Sequence, residues 1–160
     1  FNGIIDVLHI KAESIIFNKI YISKINIKIR DLVLRFTFNK KRFFIDNCSA
    51  EINMRLTRDN INKTLFHKKW EKLKTSIEAF ISMSFKSIEI NNKSIYFISS
   101  DGLSKNIDYK LKFAKNSISL VNNINQEKLS ILNDKNIKIK NLSFCESYLE
   151  LELSSKIIFN

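Results

Sequence analysis

Strict alternation of apolar and polar residues is the feature that most restricts the fold of this chain. In the segment "KINIKIR", Ile25, Ile27 and Ile29 alternate with charged or amide side chains. The segment "LVLRFTF" continues the alternation, and its apolar face carries Leu32, Leu34, Phe36 and Phe38. A period of two is typical of antiparallel strands that bury one face and expose the other to water. The pattern therefore predicts a fold dominated by such strands.

The alternation changes phase at two places that resemble each other. The apolar spacing from Ile29 to Leu32 is three residues, so the phase changes at Arg30–Asp31. The phrase "NIKIRDL" (26–32) returns as "NIKIKNL" (136–142), with the same change at Lys140–Asn141. We expect a bulge or sharp bend at each place, because an extra residue in one strand reverses the faces. The repeat predicts two similarly built, bent strand pairs.

Further strands are predicted along most of the chain, at about 5–10, 14–22, 43–56, 86–90, 94–99, 107–121, 127–132 and 147–159. The segment "IEINNKSIYF" predicts a hairpin through Asn91–Asn92, and Asp101–Gly102 predicts a turn. No segment rich in Pro, Gly or Ser divides the chain, so we expect one domain over 1–160. The chain begins with Phe1 instead of Met, and we expect a longer protein in which further residues precede it.

One region has helical spacing. Thr57 is a suitable N-cap, and Asp59 favours the positive end of a helix that begins there. The apolar residues that follow share one helix face, namely Ile61, Leu65, Trp70, Leu73, Ile77, Phe80 and Ile81. We predict one long amphipathic helix from about 58 to 82, bent near residue 67. The predicted fold class is α+β, a strongly twisted, curved antiparallel sheet wrapped around this helix.

The composition is biased and basic. Ile, Lys, Asn and Phe are abundant, there are two glycines, and proline is absent. Because the abundant residues have AT-rich codons, we expect a plastid, endosymbiont or similar genome. The net charge of +11 favours an anionic partner such as a membrane surface or nucleic acid, although codon bias toward Lys is expected to contribute. The two cysteines, Cys48 and Cys145, are predicted to be buried free thiols.

The sequence does not favour an enzyme. Neither His9 nor His67 has Cys, Asp or Glu at metal-ligand spacing, so we expect no metal site and no cofactor. Glu150 and Glu152 are expected on the exposed face of a strand, because they alternate with Leu149, Leu151 and Leu153, which are expected to face inward. Basic residues alternate with aromatic ones in "RFTFNKKRFF" (35–44), as a nucleic-acid platform requires. The phenylalanines of this segment share the apolar face, however, so nucleic acid is not the expected partner.

An apolar interior built from large side chains can be completely filled, or it can leave a groove for acyl chains. The alternation allows both interpretations. The segment "MRLTRDNINKTL" (54–65) adds a resemblance, since it resembles the signature of the LmeA-like phospholipid-binding proteins of cyanobacteria and actinobacteria. The matching residues are Leu56, Thr57, Asp59, Ile61, Asn62 and Leu65. Arg58 stands where an acidic residue is expected. The opening (1–34) and closing (137–157) strands are also similar, while 86–132 is similar in strand character alone.

This resemblance implies a non-enzymatic, tubular-lipid-binding-like domain that holds phospholipid or another glycerolipid at a membrane periphery. Plastids and cyanobacterial-type cells are the implied locations, with lipid transfer or membrane maintenance as the role. The expected apolar groove is formed by Ile61, Leu65, Trp70, Leu73, Ile77, Phe80, Phe36 and Phe38. The residues expected to contact anionic headgroups are Lys40, Lys41, Arg42, Lys68 and Lys69. The alternative is a structural or accessory subunit docked on a membrane complex, such as a photosynthetic one.

Overall fold

The computed structural model describes residues 2–37, 42–45, 48–91, 94–101 and 109–157. The strands of the first sheet are β1 (Asn2–Phe17), β2 (Ile20–Thr37), β3 (Arg42–Ile45), β4 (Cys48–Thr57), β10 (Ile137–Phe144) and β11 (Tyr148–Ile157). Those of the second sheet are β5 (Phe85–Ile90), β6 (Ile95–Ser99), β7 (Tyr109–Ala114), β8 (Ser117–Asn122) and β9 (Lys128–Asn133). Two helices, α1 (Arg58–Leu65) and α2 (Glu71–Ile81), separate β4 from β5.

Both sheets are antiparallel. The first has the order β1-β2-β4-β11-β10, with β3 also paired to β2, and it curls into a half-barrel. The second has the order β5-β6-β7-β8-β9, which is the order of the chain. The predicted α+β class with a curved antiparallel sheet is therefore confirmed, but the strands form two sheets instead of one.

The longest hairpin joins β1 and β2. A two-residue turn at Asn18 and Lys19 connects them, and both residues have positive φ, 52° and 65°. This is the type I′ geometry that matches the right-handed twist of a hairpin. The predicted strand 14–22 is wrong at this point, because the chain reverses inside it, and the predicted strand 5–10 extends over all of β1.

The phase change predicted at Arg30–Asp31 is present, with Asp31 at φ 54° inside β2. The strand β1 changes phase opposite this point, between Ile5 and Leu8, so that Ile5 still pairs with Leu32 and Leu8 with Ile29. The two strands keep one register because both change phase together. The phase change predicted near Lys140 is confirmed as a register shift between β10 and β11.

Apolar residues align in register across the first sheet. One row runs through all five strands of the main path, from β1 to β10, and consists of Ile10, Ile27, Ile52, Leu153 and Ile139. At the β10 end this row packs with Ile118 of the second sheet in a buried cluster. The inward positions predicted for Leu149, Leu151 and Leu153 are confirmed, since each side chain is buried, with only 6–7% exposed. This shared cluster joins the two sheets.

The predicted long helix from 58 to 82 is wrong, because the helical region is interrupted. The helix α1 ends at Leu65, and His67 adopts an extended conformation with ψ 136°. A short 3₁₀ turn, Lys68–Trp70, follows before α2 begins. The His67 ring nitrogen Nδ1 accepts a hydrogen bond from the Lys69 N–H at 3.1 Å. This cap stabilises a new helical start instead of continuation of the first helix.

The helices pack against the second sheet around a group of aromatic rings. Phe85 is 1% exposed, and its ring lies edge-to-face against Phe97 with centroids 5.0 Å apart. Phe97 in turn contacts Tyr109 at 5.3 Å, and Ile77 and Ile81 of α2 complete the buried cluster. The helix α1 also contacts β2 and β4 of the first sheet. The expectation of one sheet wrapped around one long helix is therefore replaced by two short helices on the β5–β9 sheet, of which α1 lies against both sheets.

The remaining predicted strands differ from the observed strands mainly in where the chain turns. The predicted strand 107–121 is divided into β7 and β8 by a turn at Lys115–Asn116, and the predicted strand 43–56 corresponds to β3 and β4. The pairing of Ile90 with Ile95 confirms the hairpin between β5 and β6. Asn92 and Gly102, expected in turns, lie outside the described residues.

The aromatic cluster yields a prediction for stability. We expect Phe85→Ala to lower the free energy of unfolding by about 3–5 kcal/mol, because it removes a fully buried ring and leaves a cavity. Phe113→Ala removes the same atoms from a side chain that is 42% exposed and serves as the control. Urea unfolding followed by circular dichroism measures both. Equal losses for the two variants would contradict the assignment of Phe85 to the core.

Candidate functional site

The segment 54–65, which carries the family resemblance, is fixed by hydrogen bonds. Thr57 caps α1, since its side chain accepts a hydrogen bond from the Asn60 N–H at 3.2 Å. The Asn60 side chain accepts one from the Thr57 N–H at 3.1 Å, which completes a capping box. The predicted N-cap at Thr57 is therefore confirmed, and these residues of the motif have a structural role.

Asn62 connects α1 to the second sheet. Its side-chain NH₂ donates to the Ile88 carbonyl at 3.2 Å, and its Oδ1 accepts from the Ile88 N–H at 2.8 Å. The amide thus pairs with the backbone of β5 as a neighbouring strand would. Arg58, which departs from the family pattern, donates from Nη1 to both carboxylate oxygens of Glu89 in β5, at 3.2 and 3.0 Å.

The predicted helix side of the lipid groove lies against the second sheet. Leu65 and Ile77 belong to the buried aromatic cluster, and the half-buried residues packed on it include Ile61, Leu73 and Phe80. The Phe80 ring lies 6.0 Å from the Tyr109 ring. These five predicted residues are therefore brought together, in a packed core between the helices and the β5–β9 sheet.

The predicted sheet side is described in part. Phe36 is half-buried in β2 and pairs with Phe43 of β3. Phe38, Lys40 and Lys41 lie outside the described residues. Arg42 begins β3, where its backbone pairs with Thr37.

The tip of the β1–β2 hairpin lies against the 3₁₀ turn that contains Lys68, Lys69 and Trp70. The indole Nε1 of Trp70 donates to the Lys19 carbonyl at 3.3 Å, and Lys69 Nζ donates to the Asn18 side chain. Nearby, the Tyr21 N–H donates to Thr64 Oγ1 of α1 at 3.0 Å. These contacts attach the 3₁₀ turn and α1 to the hairpin.

Four aliphatic side chains form an apolar surface that we call the inner stripe: Leu8, Ile10, Ile27 and Ile29. They form two adjacent rungs of the β1–β2 hairpin, Leu8 with Ile29 and Ile10 with Ile27. The neighbouring residue on the first rung is Ala50 of β4, which is fully buried. Exposure increases from there toward β1, where Ile10 is 41% exposed. The inner stripe is therefore the open part of an otherwise buried face.

The opposite face of the same sheet is charged. A cleft of about 230 Å³ is lined there mostly by polar side chains from β1, β2, β4, β10 and β11, and these include His9, Asn26, Lys28, Glu51 and Lys140. Lys140 Nζ lies 2.8 Å from Glu51 Oε1. That hydrogen bond and the charge of Lys140, with further contributions from Arg30 and Lys28, lower the pKa of Glu51 below its ordinary value.

The described residues contain no group of three or more His, Cys, Asp or Glu side chains placed to hold a metal ion. His9 lines the charged cleft, and His67 caps the 3₁₀ turn. Cys48 and Cys145 are both free thiols, as predicted, but only Cys48 is buried, and Cys145 is half-buried. Burial raises the pKa of Cys48. In the described part of the chain, no helix combines the length and apolar character needed to cross a bilayer.

Sequence reasoning did not identify the inner stripe. At the hairpin tip it named Lys68, Lys69 and Trp70 but none of the residues of the β1–β2 hairpin. Two features of the sequence could have indicated these sites. Asn18 is a favoured turn residue, and the apolar residues beside it, "SIIFNKIYI", occupy consecutive positions instead of alternating ones. A strand that is apolar on both faces next to a turn indicates a partner beyond its own sheet.

Comparison with known proteins finds no match among family models, curated proteins or solved structures. The resemblance of 54–65 to the LmeA-like proteins therefore stays a prediction.

The bridge from α1 to β5 yields a prediction. We expect Asn62→Leu to lower the free energy of unfolding by about 1–3 kcal/mol, because the N–H and carbonyl of Ile88 lose their partner in a half-buried site. The control is Asn53→Leu, whose amide makes an exposed hydrogen bond to Glu152. Urea unfolding measures both, and a control as damaging as Asn62→Leu would contradict the proposed bridge.

The charged face yields a second prediction. Because folding lowers the pKa of Glu51, its stabilising contribution is present above the unfolded-state pKa and is lost as pH falls through the folded-state pKa. We expect Lys140→Ala to raise the pKa of Glu51, measured by NMR titration of the side-chain carboxyl group. Lys138→Ala, the same charge change in the same strand, is the control and should leave this pKa nearly unchanged.

Proposed function

We propose that this chain is a non-enzymatic, peripheral membrane protein that binds phospholipid or another glycerolipid. The observation that carries the proposal is the inner stripe. It continues the apolar rows of the buried face, yet its outermost residue, Ile10, is 41% exposed. An exposed apolar surface that extends a protein core is typical of a site for an apolar ligand or partner.

An acyl chain suits this surface chemically. The stripe consists of branched aliphatic side chains in two adjacent rungs, so it offers dispersion contacts along the strands and no side-chain hydrogen-bonding group. Each methylene of a lipid that leaves water there contributes about 0.8 kcal/mol. Several methylenes per chain are needed to offset the cost of immobilising the lipid.

The site differs from the groove expected from the sequence. Five of the six helix residues of that groove pack on the second sheet, and Trp70 lies at the hairpin tip. We therefore place the lipid on β1 and β2 instead. The tubular-lipid-binding-like architecture, a role in lipid transfer or membrane maintenance, and a plastid or cyanobacterial-type location belong to this proposal. The positive charge of +11 supports a preference for anionic lipid.

The alternative function is a structural or accessory subunit of a membrane complex. The edge strand β1 supports it, because Ile4 and Val7 are exposed on this strand in addition to Ile10. A sheet edge with apolar side chains is a surface on which another protein strand can pair.

Lipid extraction tests the proposal. We expect the chain, purified from a lipid-containing host, to carry stoichiometric glycerolipid that mass spectrometry identifies in the extract. Ile10→Asp should abolish this lipid, because it places a charge on the inner stripe. The matched control is Val7→Asp, since Val7 belongs to the same strand and is 42% exposed but pairs with Arg30 on the opposite face.

Three results would contradict the proposal. They are the absence of lipid from the unchanged chain, an equal loss of lipid from Ile10→Asp and Val7→Asp, and retention of lipid by Ile10→Asp. If the unchanged chain instead co-migrates with a large membrane complex at high salt and carries no lipid, the accessory-subunit alternative is correct.

A further inference from the structure

The tip of the β1–β2 hairpin combines exposed apolar side chains with a group of lysines. Phe17 is 68% exposed and Ile16 is 59% exposed. Beside them lie Lys19 of the turn, Lys68 and Lys69, all exposed, and the half-buried Trp70. We name this surface the basic tip, and it consists of Ile16, Phe17, Lys19, Lys68, Lys69 and Trp70.

Two distant parts of the sequence meet in the basic tip. Residues 16–19 come from the hairpin, and 68–70 come from the 3₁₀ turn. The hydrogen bond from Trp70 Nε1 to the Lys19 carbonyl, at 3.3 Å, and the bond from Lys69 to Asn18 join them. The turn residues Asn18 and Lys19 both have positive φ without being glycine, a conformation that persists where surrounding contacts support it.

We propose that the basic tip is the site at which this protein docks on an anionic lipid surface. The apolar pair, Ile16 and Phe17, enters the boundary between headgroups and acyl chains, and the lysines contact the anionic headgroups. A peripheral protein held by one weak signal dissociates readily, so the combination of apolar insertion and basic charge fits reversible anchoring. Trp70 is amphipathic and lies where an interfacial tryptophan is favoured.

The charge balance of the tip favours lipid over an apolar protein surface. In the segment 66–72, "FHKKWEK", three lysines stand against Glu71 as the single carboxylate. Lys72 is also exposed and adds to the positive side. Each lysine close to an anionic membrane contributes about 1 kcal/mol of attraction, and salt screens this attraction.

This proposal deepens the proposed function but does not depend on the inner stripe. The stripe is a place for an acyl chain that has left the bilayer, whereas the basic tip meets the intact membrane surface. A chain that binds vesicles but carries no extracted lipid would contradict the stripe and leave the tip proposal intact. A chain that carries extracted lipid but does not bind vesicles would contradict the tip proposal alone.

Trp70 is the only tryptophan and therefore reports on the tip directly. The chain is titrated with vesicles of phosphatidylcholine containing phosphatidylglycerol, and with vesicles of phosphatidylcholine alone. We expect binding to the anionic vesicles, a shift of Trp70 emission to shorter wavelength, and quenching by lipids brominated near the headgroup. Binding should weaken as salt increases, and phosphatidylcholine alone should bind at least about tenfold more weakly.

Two pairs of variants localise the contact. We expect Lys68→Gln with Lys69→Gln to weaken binding about 30-fold, at about 1 kcal/mol for each lysine. The matched control is Lys110→Gln with Lys112→Gln, two exposed lysines of β7. We expect Phe17→Ser to weaken binding about tenfold or more, with Phe113→Ser, also in β7, as its control. Circular dichroism verifies that each variant is folded.

Loss of binding confined to the tip variants supports the proposal. Equal loss in the β7 controls would overturn it, because attraction would then follow net charge and not the tip. Absence of binding to anionic vesicles, or binding without any change in Trp70 emission, would also overturn it. Tighter binding to RNA than to anionic vesicles, with the same residues required, would assign the tip to nucleic acid and overturn the lipid proposal.

Discussion

The structure depends on the register that aligns one apolar residue from each strand of the first sheet. Ile10, Ile27, Ile52, Leu153 and Ile139 stand side by side across five strands. A shift of one residue in any strand would turn its apolar set to the opposite face, so a buried face specifies register strongly. The curled sheet has two distinct faces for this reason, one apolar and one carrying the ion pairs of Glu51 and Glu150.

The β1–β2 hairpin preserves this register despite two irregular positions. Asp31 and Ser14 both have positive φ, at 54° and 53°, and belong to different strands of the hairpin. At each position the facing strand changes phase at the same level, so that Ile5 pairs with Leu32 and Ile15 with Ile22. Because both strands change phase together, their pairing continues through both positions. The hairpin tip lies against the helical region, where Thr64 and Trp70 form hydrogen bonds to it.

The inner stripe and the basic tip are exposed because the second sheet and the helices cover only part of the first sheet. The second sheet covers the β10–β11 half of the first sheet through Ile118. The helices pack on the second sheet, and α1 also contacts β2 and β4 of the first. The β1–β2 half keeps the inner stripe, and its hairpin ends in the basic tip. Both surfaces therefore belong to the same hairpin, which connects a membrane-facing end with an acyl-binding face in our proposal.

Several features could be predicted from local pattern alone. The antiparallel strands, the N-cap at Thr57, the hairpin joining β5 and β6 and the inward leucines of β11 follow from spacing of two or from the chemistry of single side chains. The same local reasoning failed for the helix, because the apolar stripe continues from Leu65 to Trp70 while the backbone extends at His67. Side-chain periodicity does not record whether the backbone hydrogen bonds are continuous.

The candidate sites required the tertiary structure. The sequence by itself determined that the chain is rich in antiparallel strands with one apolar face, that it is basic, and that an amphipathic helical region follows Thr57, since these properties depend on neighbouring residues. It did not determine which sheet the helices cover, because both sheets offer apolar faces of similar composition. Contacts between distant segments decided that Ile77 and Phe80 became core, that Ile10 stayed partly exposed, and that Lys69 met Asn18 at the hairpin tip.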